Sequence, residues 1–340
     1  MVFTFKKKIK INISTYILFL FFLIIFTKFS TISVKANTYK IEDLEISKPY
    51  DNNFNKETVI DKAFEKAFEL LLLKITTINE DEVDKLTDLK TIYGLIESFA
   101  IVDEKFVNNK YFSKFEVEFN KKQLFKFLEE KNIFPSIPKQ KKLLLVPILI
   151  NNKQNKVQLF SENYFYLNWN KFNKNFFLLN YILPNEDIED INLIKKNIDD
   201  IEQYDFKEIV SKYAMNDYII LILFQNGNTF NALMKINLND KLIIENKKFI
   251  LSENQTMENI INSLKYEFEN KWKNLNVINT SIKLPITLSL KSKDYKLAQE
   301  LEKKLYNLDL VSSYHIDSFS NDKIIYKIIY NNSPDKFINE

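Results

Sequence analysis

The chain has 340 residues, 46% of them hydrophobic, with two glycines, one histidine and no cysteine. Such a chain can bury a sizeable core, but disulfides, the usual zinc ligand sets and glycine-rich phosphate loops are excluded. All 48 basic residues are lysines, so no guanidinium fork is available for bidentate binding of carboxylate or phosphate.

The first 36 residues read as a secretory leader. Lys6, Lys7, Lys8 and Lys10 precede an unbroken apolar run from Tyr16 to Phe26, and Val34-Lys35-Ala36 supplies small side chains where a signal peptidase reads. The run has 11 residues, about 17 Å as a helix, against about 30 Å of hydrocarbon core. Export to the periplasm with cleavage after Ala36 is expected, an uncleaved inner-membrane anchor being the alternative. Removing residues 1–36, which carry six lysines and no acid, moves the formal charge from +3 to −3. A nucleic-acid partner is therefore not expected. Contact with the membrane is expected only through the leader.

Residues 37–132 read as a first α+β unit. Tyr39 to Ile46 suits a strand, and Pro49 to Asn53 is a break. From Val59 to Ile75 apolar residues recur every three or four positions, the stripe of a helix facing a core. Val83 to Ile96 reads as a second helix. Phe99 to Val107 and Phe112 to Phe119 alternate around Asn108-Asn109-Lys110, a hairpin, and Leu124 to Leu128 closes the unit as a short helix. The expected result is a sheet covered on one face.

Two prolines and a lysine run mark residues 133–142 as a linker. A middle unit follows at 143–273. Leu143 to Ile150, Phe177 to Leu183 and Tyr218 to Phe224 have the continuous apolar character of strands buried on both faces, although Pro147 lacks a ladder donor. Helical stretches at 163–172, 188–198 and 206–213 separate them, so a small βα sheet, parallel at its centre, is predicted. Turns at Asn226-Gly227-Asn228 and Asn239-Asp240-Lys241 add an antiparallel extension, and Ile260 to Trp272 ends the unit as an amphipathic helix. Residues 281–340 read strand, helix, hairpin, half of a split βαβ unit, expected to dock on the middle unit. The fold class is thus α+β, in two or three small units.

Candidate chemistry is sparse. His315 lies in a predicted strand beside Tyr314 and Ile316 and reads as a structural residue. No glycine-flanked serine can form a strained nucleophile elbow. Pro184-Asn185-Glu186-Asp187-Ile188-Glu189-Asp190 places acids between a strand end and a helix start, where α/β sheets take ligands and where oxygen donors suit calcium. Helix capping is the stronger reading of the same residues. Phe165 and Trp169 are candidates for a ligand-facing wall, with core packing the stronger reading because large aromatics on a helix flanking a sheet are normally buried. The candidate ligand-binding residues are Asn163, Phe165, Trp169, Asp187 and Asp190, with no catalytic residue, metal set or cofactor assigned.

Asn163 to Trp169 resembles the Asn-Pro-Trp-x-x-Ala-Trp motif, and Pro184 to Asp190 the Pro-x-Gly-Asp-x-x-Asp stretch, of an exported family of Gram-negative bacteria known as domain of unknown function 2066 (DUF2066). The likeness extends to the Ala/Phe-rich long helix, to Val102–Phe119 and to the strand with Pro147. The chain departs from the family at Tyr164, Phe165, Asn168 and Glu186, where the family has Pro, Trp, Ala and Gly. More distantly, the middle unit is similar to the N-terminal α/β domain of envelope-assembly proteins such as the translocation protein TolB. The resemblance implies export and architecture and brings no activity. The reading that follows is a non-enzymatic envelope interaction or assembly factor with an unknown envelope protein as partner. A small-ligand or calcium binder at 186–190 is the alternative, and a carboxylate-dependent hydrolase the third reading.

Overall fold

Strand β1 (Lys40–Pro49) leads into helix α1 (Lys56–Ile75), whose apolar stripe is buried from Val59 to Ile75 as the spacing predicts. Asn55 starts that helix by accepting the Glu57 amide. The computed structural model describes residues 39–340 apart from 87, 155, 254, 292, 293, 321, 322 and 340; the leader expected at 1–36 lies outside the described residues. The single helix expected next is two, α2 (Glu80–Asp84) and α3 (Leu89–Leu95), because Asn79 and Asp88 each cap a new start. Strands β2 (Ile96–Val107) and β3 (Lys110–Phe119) form the predicted hairpin, and helix α4 (Lys121–Glu130) follows. The turn residues Asn108 and Asn109 both have positive φ, 51° and 56°, as a two-residue hairpin turn of right-handed twist demands. The sheet order is β1-β3-β2, all antiparallel, so β1 and β2 run parallel on either side of β3.

The second sheet has the order β5-β4-β7-β8-β9, from β4 (Lys141–Asn151), β5 (Lys156–Gln158), β7 (Tyr218–Asn226), β8 (Thr229–Leu238) and β9 (Lys241–Ile250), with β6 (Leu179–Ile182) also paired to β4. Strands β4 and β7 are parallel and β7-β8-β9 antiparallel, the predicted centre and extension. Alternate residues of β4 enter two different cores. Leu143, Leu145 and Leu149 pack with α5 (Tyr164–Asn168) and α8 (Met257–Leu275), while Leu144, Val146, Ile148 and Ile150 pack with α6 (Ile188–Lys196) and α7 (Lys207–Ser211). Strand β6 is shorter than expected and not buried on both faces, because Asn180 and Ile182 point outward and pairing reaches only Leu144. Pro147 breaks no ladder. Its carbonyl accepts Asn163 Nδ2 at 3.0 Å in the gap between β6 and β5, so its missing donor faces the outer edge of β4.

The third sheet, β10 (Leu284–Leu290), β11 (Val311–Phe319) and β12 (Ile324–Tyr330), has the order β10-β12-β11 with α9 (Tyr295–Asn307) between its first two strands. This is the predicted split βαβ arrangement, and a last helix α10 (Pro334–Asn339) follows it. The sheet docks on the first unit and not, as expected, on the middle one. Tyr326, Ile328 and Tyr330 share a core with α1, β3 and the apolar side of α4. The centre of the second sheet is already covered by its own helices on both faces, whereas Leu124, Phe125 and Leu128 of α4 take their cover from the third sheet. Residues 39–340 accordingly form one compact unit.

The segment read as a linker is held at both sides. Ser136 donates from its amide and its Oγ to the Ile75 carbonyl and bridges to Val277, while Ile278 donates to the Pro135 carbonyl. Three buried ionisable residues on one face of α8 tighten the same joint. The Glu269 carboxylate accepts the amides of Leu178 and Leu179 at 2.7–3.0 Å, Lys265 Nζ donates to the Phe172 carbonyl, and Lys273 Nζ donates to the Leu73 carbonyl in α1. Burial pulls both lysines down to about 8 and raises Glu269. Among the described residues no helix is long and apolar enough to cross a membrane.

Replacing Glu269 with alanine is expected to cost about 3–5 kcal/mol in urea unfolding, since two buried lysines lose their counter-charge. The lysines also give a pH signature. Below about 8 both are charged in the folded and the unfolded chain, and the burial cost is fully present. Between about 8 and the ordinary 10.5 the unfolded chain binds more protons, so stability rises with pH. The urea midpoint of the wild-type chain should therefore climb from pH 8 to roughly pH 10 relative to a Lys265→Met/Lys273→Met chain measured alongside; coincident pH curves would contradict the assignment.

Candidate functional site

The segments that carry the predicted site residues do meet. Tyr166 OH donates to the Pro184 carbonyl at 2.8 Å, and the Ser161 amide donates to Glu186 Oε1 at 3.1 Å. Their side chains nevertheless go to opposite faces of the second sheet. Asn163 is fully buried as the cap of α5, with Oδ1 taking the Phe165 amide at 2.9 Å and Nδ2 spent on Pro147. Phe165 and Trp169 are core, not a ligand wall. Trp169 stacks on Phe268 at 6.0 Å and meets the Tyr181 ring edge-on at 5.4 Å.

Asp187 caps α6 by accepting the Glu189 amide at 2.8 Å. The sequence reading missed its partner, Lys212, which lies just beyond α7. Lys212 Nζ stands 2.6 Å from Asp187 Oδ2 and 2.7 Å from Asp190 Oδ1, with Glu189 at 3.6 Å. Hydrogen bonds to both aspartates raise the Lys212 pKa, and the ammonium lowers that of Asp187. A calcium ion bridging the two carboxylates would have to displace this ammonium, so the geometry is that of a capped helix held by an ion pair. Asp190 is 1% exposed, and its Oδ2 has no hydrogen-bond partner. Among the described residues no group of three or more His, Cys, Asp and Glu side chains could hold a metal ion. His315 is exposed on β11 opposite Lys327, not buried in a core.

Two features of the first and third sheets were not legible as sites. The first is the outer edge of β2. Among the described residues this 12-residue strand pairs only with β3, and Phe99, Val102 and Phe106 are 46%, 50% and 58% exposed along it. Phe99 leans on Phe64 of α1 at 5.0 Å, and Phe106 meets Tyr50 at 4.7 Å and Tyr111 at 5.0 Å, so aromatic rings rim the edge. The second is a cleft of about 480 Å³ between the first turn of α4 and β11. No periodicity announces either, because each arises where elements distant in the chain meet.

No protein-family model matches the chain, and no curated protein matches it.

Lys212→Met leaves a buried carboxylate without its cation and is expected to cost roughly 1–3 kcal/mol in chemical denaturation. Adding Asp190→Leu should recover most of that loss. Millimolar calcium should leave the melting temperature of the parent chain unchanged; a shift abolished by Asp187→Ala would restore the cation reading.

Proposed function

We propose that this chain is an exported protein of the bacterial cell envelope that works by binding an envelope protein and not by catalysis. The open edge of β2 carries the reading. An unpaired strand edge offers a row of backbone donors and acceptors, and proteins normally shield one with charge, proline or a covering element. Here the edge is long, proline-free and flanked by half-exposed aromatic rings. That combination suits an extended segment of a partner added as a further strand, with main-chain hydrogen bonds for affinity and ring-lined hollows for specificity. Of the charged residues on this strand, Glu104 is paired with Lys56 at 2.7 Å and Glu97 with the Tyr306 hydroxyl, which leaves Asp103 beside Lys105.

The leader at 1–36 and the resemblance to the exported domain-of-unknown-function family support the periplasmic placement, and the likeness to TolB-like envelope proteins supports an assembly role. The carboxylates that a ligand-binding or hydrolytic reading needs are engaged by Lys212.

The test is photo-cross-linking in intact cells from a benzoyl-phenylalanine at position 106 or, as control, at position 244 on β9, which is also an exposed edge. One envelope protein is expected from position 106 alone, lost when Phe99→Asp is added. Equal products from both positions, or none from 106, would reject the proposal. N-terminal sequencing of the mature protein tests export separately, with Asn37 expected first.

A further inference from the structure

We propose that the cleft between α4 and the third sheet binds a small anionic ligand, a phosphate or carboxylate head on an apolar body. Its volume of about 480 Å³ lies in the range of small-molecule sites, about 300–1,000 Å³. Phe125, Leu305 and Val311, all buried residues, supply its apolar lining. The polar side is built differently. Asn120 caps the ten-residue helix α4 by accepting the Gln123 amide, and the amides of Lys121 and Lys122 in the same turn have no place in the helical ladder. Such amides and the positive end of the helix favour an anion.

A helix start alone would not make a site, but a second group points to a ligand. Thr280 lines the cleft, is 2% exposed, and its Oγ1 has no hydrogen-bond partner among the described residues. A buried hydroxyl left unpaired costs free energy that a ligand oxygen would return. The side-chain charge balance has the same sign. Four lysines line the cleft, at 121, 122, 126 and 283, against Glu97 and Glu129. Both acids are already engaged, Glu97 by the Tyr306 hydroxyl at 3.3 Å and Glu129 by Lys283 at 3.1 Å. Lys121 is spent on the carbonyls of Leu308 and Val311, which fixes the cleft wall. Lys122 is exposed at the mouth, and Lys126 has only a long 3.9 Å contact to Glu130. These two lysines are the charges available to a ligand.

Isothermal titration with phenyl phosphate, phenylacetate and benzyl alcohol tests this, with backbone amide NMR shifts to locate the site. At least one of the two anions should bind, with shifts clustered at residues 120–126 and 311–314, and benzyl alcohol should bind at least about tenfold more weakly. Which anion binds identifies the head group. Lys122→Glu/Lys126→Glu alters exposed positions only and should weaken the anion about tenfold or more at unchanged melting temperature. Thr280→Val should weaken it several-fold without loss of stability. Benzyl alcohol binding as tightly as the anions, charge reversal without effect, or no binding of either anion at millimolar concentration would each overturn the proposal. None of these results bears on the β2 edge, whose variants leave the cleft unchanged.

Discussion

A buried carboxylate and the two lysines that flank it on α8 tie the entry of β6 in the second sheet and the end of α1 in the first unit to one helix. Glu269 is fully buried on α8, and its oxygens take the Leu178 and Leu179 amides just as the chain enters β6. One helical turn away on either side, Lys265 and Lys273 reach carbonyls at Phe172 and Leu73. Burying three charges costs more than their mutual attraction returns unless each remaining donor and acceptor is met. Here backbone groups from two distant stretches, Leu73 and Phe172 to Leu179, meet them. The cluster therefore contributes less to net stability than to specifying which segments lie together. An apolar α8 could slide along its neighbours; one that must present a carboxylate to two particular amides cannot.

The local structure was legible because periodicity reports it directly. The stripe in α1 and the alternation in β3 are local consequences of one buried face. Partnership was not legible, for a physical reason. An apolar stripe says that a face is covered and carries no address for what covers it. The third sheet illustrates this, since its strands and helix were predicted almost to the residue and its docking site was not. The address lay in the sum over the whole fold, where the centre of the second sheet had its own helical cover and the apolar side of α4 did not. The acidic cluster shows the same limit: Asp187 as a cap could be read from its place before a helix, whereas Lys212 stands 22 residues beyond Asp190 and carries no mark of the pairing.

The first and third sheets share one plan. Each runs strand, helical crossover, strand, strand, helix, and each places its last strand between the first two. No repeat is visible in the sequence because the plan requires only the same order of buried faces, which different apolar residues satisfy equally well. The two units pack through one continuous core, so the chain has one large apolar joint between like units and one ionic joint to the sheet that differs from both.

This division of labour bears on where binding can occur. Helices cover the centre of the second sheet on both faces, and its polar interior groups are spent on holding segments in place. The two surfaces proposed for binding, the β2 edge and the α4 cleft, both belong to the joined first and third units, although Leu242, Ile244 and Ile250 on β9 of the second sheet are exposed as well. An apolar joint tolerates small sliding because dispersion contacts are individually weak and many, whereas amide-to-carboxylate bonds at 2.7–3.0 Å do not. The cleft wall is nevertheless pinned, because Lys121 spans from α4 to carbonyls at both ends of the turn joining α9 to β11. A ligand that bridged the Lys122 side of the cleft to Thr280 would add a further polar tie across the same joint. Glu97, in β2, already touches Tyr306 of α9, so the tie would run within one hydrogen bond of the strand whose edge is proposed to receive a partner.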